Sequence, residues 1–255
     1  MTDKRFENQV AIVTGAGVGI GFEIARQLAN EGAKIILNDI DKDLANSASK
    51  LIQESGGICE AFGGDISEIN IIQETIKFTV STFGKLDILI ANAGITTFGD
   101  FLEYQPESMN QLLQVNLFGT FFLTQEAAKQ MILQGNGGSI LLTSSVTGQI
   151  AHKNLAAYGM TKAAINQLAQ NLVIDLSPYQ ININTIVPGA TLTERTLQDD
   201  EYIQTWSRIT PMGKPSTVQD IANTDLFLVS PLSRQITGQS LVIDGGWTSV
   251  GVSPY

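Results

Sequence analysis

The sequence predicts a doubly wound parallel α/β sheet in a single domain. Three observations predict it. Apolar, β-branched runs alternate with amphipathic stretches almost from the first residue, and a glycine-rich turn joins the first run to the first helical stretch. A length of 255 residues at 43% hydrophobic content is also enough to bury a core on both faces of one sheet.

The first strand is VAIVT at 10–14, followed by a helical pattern near 20–30. IILND at 35–39 is the second strand, and a helix over 41–55 leads to a third strand around Cys59. A helix over 67–82 precedes LDILIAN at 86–92, and a long helical pattern over 107–134 precedes SILLTS at 139–144. A helix over 155–177 is followed by ININTIV at 181–187, a helix over 217–229 and a short strand, SLVID, at 240–244. The strand runs are short and apolar on both alternating faces, which suits parallel strands covered by helices on each side. The stretch 190–216 is the least sheet-like part of the chain: it is polar, contains Pro211 and Pro215, carries a short helical insertion, and follows the end of a strand. Ligands bind beyond the carboxyl ends of such strands, so this stretch is expected to form a substrate lid within the domain, which spans 1–255.

Composition excludes several function classes. The balance of 15 Lys and Arg against 25 Asp and Glu, a net charge of -10, repels nucleic acid and anionic membrane surfaces. One cysteine, Cys59, and one histidine, His152, leave no intrachain disulfide and no metal cluster, so no metal site is expected. Cys59 is expected as a small core residue. No apolar stretch resembles a secretory signal or a membrane span, and a cytoplasmic enzyme is expected.

Thr14-Gly15-Ala16-Gly17-Val18-Gly19-Ile20-Gly21 closes the first strand and opens the first helix. Glycines there allow a tight turn and let the main chain approach a pyrophosphate at the positive end of the helix. Asp39, at the end of the second strand, can accept from the adenosine ribose hydroxyls and would repel a 2′-phosphate, which favours NAD over NADP.

Tyr158 and Lys162 stand four apart at the start of a helical pattern and share one face. A free phenol titrates near pH 10, so proton transfer through one at neutral pH needs a neighbouring cation to stabilise the phenolate. Thirteen residues before Tyr158, Ser144 and Ser145 end a central strand, and either hydroxyl could donate to a substrate oxygen.

Taken together, these motifs resemble the short-chain dehydrogenase/reductase superfamily, in its short one-domain branch, over nearly the whole chain. The matching residues are TGxxxGxG at 14–21, Asp65, Asn92-Ala93-Gly94, Asn116, Ser145, Tyr158, Lys162, Pro188-Gly189 and Ile243-Asp244-Gly245-Gly246. The resemblance implies a Rossmann-type seven-stranded sheet in three α/β/α layers. It also implies Tyr158 as general acid/base and Ser145, rather than Ser144, as the group polarising the substrate oxygen. Lys162 would bind the nicotinamide ribose and support the phenolate, and Asn116 would hold a relay water. The implied cofactor contacts are Gly15, Gly17, Val18, Gly19, Ile20 and Gly21 in the turn, Asp39 with Ile40, and Asp65 with Ile66. Asn92, Ala93 and Gly94 would join them, together with Tyr158, Lys162, Pro188, Gly189, Thr191 and Thr193. Two departures from the pattern are Ala91, where an Asn is usual, and Gly17, where many members carry Ser or a cation that reads NADP.

The expected function is hydride transfer between NAD(H) and a secondary alcohol or ketone of a polar small molecule, with a sugar acid such as gluconate as the leading case. Thr96, Ser145, Thr147, His152, Tyr158 and Arg195 are the candidate substrate residues. A 3-oxoacyl-carrier or hydroxysteroid-type reductase is the alternative in the same class, and a non-catalytic dinucleotide-binding sensor the alternative from another. An epimerase of the longer branch would need more chain than the about 65 residues after Pro188. Helices over 107–134 and 155–177 pair between subunits in relatives, which implies a homotetramer.

Overall fold

The computed structural model describes residues 4–250, so the ends of the predicted 1–255 domain, 1–3 and 251–255, lie outside the described residues. The strands of the main sheet are β1 (Val10–Thr14), β2 (Lys34–Asp39), β3 (Ile58–Gly63), β4 (Ile88–Ala91), β5 (Gly138–Thr143), β6 (Ile181–Pro188) and β9 (Ser240–Ile243). They lie in the order β3-β2-β1-β4-β5-β6-β9, every neighbouring pair parallel. The expected seven-stranded doubly wound sheet is therefore present. Its order reverses between β1 and β4, so the crevice beyond their carboxyl ends is where a ligand fits.

Strand side chains alternate between two cores. Ala11, Val13, Ile35, Leu37, Ile88 and Ile90 face one layer, where α1 (Gly19–Asn30) and α8 (Val218–Leu228) contribute Ile24, Leu28, Ile221 and Leu226. Ile12, Ile36, Leu89, Ile140 and Leu142 face the other, against α3 (Ile69–Phe83), α5 (Thr120–Gln134) and α6 (Ala156–Leu176). A period of two within a buried strand feeds both layers, which is why these runs read as continuously apolar. Cys59 is buried in the first core, and burial pushes its thiol up to about 11, as expected of an inert filler.

The structure departs from the expected elements in two places. The long helical pattern over 107–134 is three pieces: α4 (Pro106–Leu113), a π-helical turn (Gln114–Gly119) and α5. Gly119 lies at the end of that turn against the Ile66 carbonyl, which an added Cβ would approach to 2.8 Å. The stretch 190–216 contains the expected short helix and, unexpectedly, a strand pair. It holds β7 (Thr191–Leu192), a short turn of helix at Thr196–Gln198 and α7 (Tyr202–Ile209), then returns to pair β7 with β8 (Ser216–Thr217). Trp206 on α7 meets Trp247 edge to face at 4.9 Å, tying this segment to the chain after β9.

Candidate active site

The glycine turn supplies an uncapped helix start at the β1/β4 crevice. Val18 at the N-cap makes no side-chain cap bond and no acid stands in the first turn of α1, whereas α2 (Lys42–Glu54) and α8 are capped by Asp41 and Thr217. The first N–H groups of α1 thus face the crevice free of a side-chain acceptor. Glycine is required for steric reasons at Gly21, where a Cβ would lie 2.3 Å from the Gly15 carbonyl oxygen, and at Gly15, which has φ +59° and would meet the Ala93 Cα at 2.8 Å. At Gly19 an added Cβ would touch Glu194 and Thr193 at 3.5 to 3.9 Å, so residues of the 190–216 segment reach across the turn. The cradle fits a dinucleotide.

Asp39 closes one side of this cradle. Its Oδ2 accepts from the Gly17 N–H at 2.9 Å and its Oδ1 from the Asp41 N–H at 3.1 Å. A Cβ on residue 17 would come within 2.9 Å of Asp39 Oδ2, so the glycine there is a consequence of this contact. Ile40 is 69% exposed beside it. Arg26 faces away, bonded through both guanidinium arms to Glu23, and its charge helps hold the largely buried Glu23 ionised.

Several predicted cofactor residues have their side chains committed elsewhere. Asn92 Nδ2 donates to the carbonyls of Thr14 and Gly15 at 3.0 Å each, and its Oδ1 accepts from Thr143 Oγ1 at 3.4 Å. Asn92 is a clamp across β1, β4 and β5, so only its main chain can face a cofactor. Ile66 is packed in the core, which leaves its backbone alone for an adenine contact. Thr191 Oγ1 donates to the Gly189 carbonyl, and its N–H to Tyr202 Oη at 3.1 Å. Thr193 is knotted to Thr196, whose Oγ1 donates back to the Thr191 carbonyl at 2.9 Å. Pro188 ends β6, and Gly189 donates to the Ile243 carbonyl at 2.9 Å.

Tyr158, Lys162, Ser145 and Asn116 converge around the carboxyl ends of β4 and β5. Lys162 is only 4% exposed, donates to the Thr143 carbonyl at 2.8 Å, and sets its Nζ 5.5 Å from the centre of the Tyr158 ring. Gly94 lies over this ammonium: a Cβ there would stand 3.4 Å from Nζ and 3.2 Å from Asn116 Oδ1. Ser144 Oγ donates to the Lys162 carbonyl at 2.9 Å and is buried, so it docks α6 on the sheet. Ser145 is half-buried and leads the short turn Val146–Gly148. The pair that local sequence left open is thus separated by partner. Two glycines permit the approach. At Gly148 a Cβ would meet the Ala163 N–H group at 2.7 Å, and at Gly159 the Thr147 carbonyl at 2.6 Å.

Asn116 is fully buried in the π-helical turn, and both ends of its amide are satisfied. Oδ1 accepts from Ile95 N–H at 2.8 Å, and Nδ2 donates to the Ile95 carbonyl at 2.9 Å and to Thr161 Oγ1 at 3.2 Å. Both amide protons are used, while Oδ1 keeps a second acceptor site. Thr147 turns to Ser145 rather than outward, with Oγ1 donating to Ser145 Oγ at 3.0 Å. His152 lies exposed on the turn before α6, its Nδ1 against the carbonyl of Lys153. Thr96 is half-buried after β4, and Arg195 is exposed at the start of the Thr196–Gln198 turn. Sequence reasoning missed Thr143, Thr161, Gly148 and Gly159, none of which stands out in a linear pattern. Among the described residues no three His, Cys, Asp or Glu side chains cluster as metal ligands would, and no helix is long and apolar enough to cross a membrane.

Known proteins match this chain over nearly its whole length. The model of the family described as Enoyl-(Acyl carrier protein) reductase matches residues 15–248. The chain belongs to the short-chain dehydrogenase/reductase superfamily. An L-rhamnose 1-dehydrogenase (NAD(P)(+)) of Sphingomonas sp. is 35% identical, over 95% of this chain and 97% of the relative. A solved 7α-hydroxysteroid dehydrogenase in complex with NADH and 7-oxo glycochenodeoxycholic acid superposes with a TM-score of 0.91 at 36% identity, covering 96% of each chain. A short-chain type dehydrogenase/reductase from Mycobacterium marinum superposes with a TM-score of 0.93 at 28% identity, covering 97% of this chain and 98% of its own. As a member of this superfamily the protein is a dehydrogenase/reductase acting on CH-OH groups.

Proposed function

We propose that the protein transfers a hydride between NAD(H) and a secondary alcohol or ketone of a polar small molecule, a sugar or sugar acid such as gluconate. The observation that carries the chemistry is Lys162 Nζ, anchored on Thr143 and facing the Tyr158 ring at 5.5 Å beside the glycine cradle. A nicotinamide, when bound, supplies the acceptor or donor of the hydride at the carbinol carbon. Tyr158 Oη takes the alcohol proton in oxidation and returns it in reduction, with the Lys162 ammonium favouring the phenolate between those events. Ser145 Oγ donates to the substrate oxygen as charge builds there. Asn116 would hold a relay water, through the second acceptor site of Oδ1 or through main-chain carbonyls of the π-helical turn, where the departure from α-helical pairing loosens the ladder. Residues 190–216 are assigned as the lid, because Thr193 and Glu194 already overlie Gly19.

The polar substrate class is supported by the rhamnose dehydrogenases among the relatives. A second reading, a steroid-like or acyl substrate, draws on an apolar cavity of about 320 Å³ lined by Phe101, Tyr104, Pro106, Met109, Ala157 and Met160. A panel of L-rhamnose, gluconate, polyols, acetoin, a 3-hydroxyacyl ester and a 7α-hydroxysteroid, followed by NADH absorbance, separates the two. The fastest turnover is expected among the sugars and sugar acids. Preference for the steroid overturns that assignment, and silence from every member with both cofactors favours the sensor.

NAD is the proposed cofactor because the Asp39 carboxylate would meet a 2′-phosphate as a like charge and no free cation of the turn offsets it. NADH is expected to bind at least about tenfold more tightly than NADPH, and Asp39→Ser to narrow that ratio. Tighter NADPH binding by the unmodified protein would reverse the assignment. A homotetramer is proposed on the outward faces of α5 and α6 and the turn before α5, where Phe118, Phe121, Met160 and Ile174 are exposed. A single buried thiol suits the cytoplasm.

A further inference from the structure

We propose that Thr147 is a positioning residue that makes Ser145 an obligate hydrogen-bond donor toward the substrate oxygen. The inference rests on the roles of Ser145 and Tyr158 proposed above. It replaces the expectation that Thr147 touches the substrate.

Ser145 Oγ accepts twice from the same residue: from Thr147 Oγ1 at 3.0 Å and from the Thr147 backbone N–H at 3.3 Å. A serine hydroxyl carries two acceptor sites and one proton. With both acceptor sites engaged inside the turn, the only bond Ser145 can still make is a donation outward. A serine free to rotate could instead accept the proton of the substrate alcohol, and that proton has to reach Tyr158 Oη for oxidation to proceed. Thr147 removes this competing arrangement. It also polarises Ser145: a hydroxyl that accepts becomes a better donor, so the sequence Thr147 to Ser145 to substrate oxygen strengthens as negative charge develops at its end.

The turn is held rigidly enough for this to matter. Gly148 N–H donates to the Ser145 carbonyl at 2.9 Å, and Gly148 and Gly159 let the turn lie directly on α6. The main chain of the turn, and with it the Thr147 N–H that Ser145 accepts, therefore cannot shift without disturbing the start of α6, which carries Tyr158.

The test compares Thr147→Val, Thr147→Ser, Ser145→Ala and Ser145→Ala/Thr147→Val, with Thr147→Ala standing in should the valine not be tolerated. Reduction of diacetyl by NADH, and oxidation of the fastest alcohol of the panel, give kcat and KM separately, with thermal midpoints confirming that each variant is folded. Thr147→Val is expected to lower kcat about tenfold with KM within about twofold, because the lost interaction matters most in the transition state. Thr147→Ser should restore most of the rate. Ser145→Ala should lower kcat on the order of 100-fold. In that background Thr147→Val should cost nothing further, since its effect acts through a hydroxyl already removed. An equal loss with and without Ser145, or a raised KM at unchanged kcat, overturns the proposal. An unchanged kcat in Ser145→Ala, or no wild-type turnover of any probe, overturns the reading of the site and the proposal with it.

Discussion

Replacing Tyr158 by Phe is expected to lower kcat on the order of 1000-fold while leaving NADH affinity within about twofold, because one proton-transfer group is lost and the cradle is untouched. The reason lies in how the site is supported. Lys162 is anchored by the Thr143 carbonyl, and α6 is docked by Ser144 on the Lys162 carbonyl and by Thr161 on Asn116. None of these bonds uses the phenol oxygen, so its removal leaves ring, ammonium and turn in place. NADH binding by fluorescence and turnover of the best panel substrate measure the two quantities separately. Turnover preserved in Tyr158→Phe would remove the residue from its role, and loss of NADH binding would show that the phenol is part of the cradle.

The second large effect is on stability. Asp225 lies on the buried face of α8, fully shielded from solvent, and among the described residues neither carboxylate oxygen has a hydrogen-bond partner. Burial raises its carboxyl well above the ordinary value, so the folded protein holds it protonated at a pH where the unfolded chain releases the proton. Below the unfolded value, about 3.9, both states are protonated and no linkage cost arises. As the pH rises above that, the unfolded state gains by ionising and the folded state does not. Stability then falls by about 1.4 kcal/mol per pH unit until the folded carboxyl also ionises.

Asp225→Asn should abolish that component of the pH dependence. Asp225→Val, which also removes the unpaired polar atoms, should stabilise by about 2 kcal/mol or more at neutral pH. Urea unfolding of the three proteins at several values between pH 5 and 8 reads both effects. The wild type should lose ground to each variant as the pH rises, and curves that stay parallel would show that Asp225 has a partner or water in the folded protein.

Much of the architecture was legible before any coordinates. The alternation of apolar runs marks the strands because the period is local: Ile12 and Val13 are neighbours in the chain and necessarily face opposite layers. Glycine at 15 and 21 reads as a tight turn for equally local reasons, and Tyr158 and Lys162 share a helix face whatever surrounds them. The helix break at 114–119 and the pairing of β7 with β8 were not legible. The first is set by packing of Gly119 on the Ile66 main chain, the second by a return of the chain some 25 residues later.

Sequence by itself thus determined the layers of the sheet, the cradle at the end of β1 and the spacing of Tyr158 and Lys162. Tertiary structure decided what each polar side chain does. Ser144 is a strut and Ser145 is not, because one meets the Lys162 carbonyl and the other Thr147. Asn92 and Asn116 are clamps because carbonyls and amides from distant strands and turns come within 3 Å of them. Asp225 has no hydrogen-bond partner among the described residues because α8 turns that face toward the core. Periodicity is written in adjacent residues, whereas a hydrogen bond depends on which atoms the fold brings within reach, and neither spacing nor composition records that.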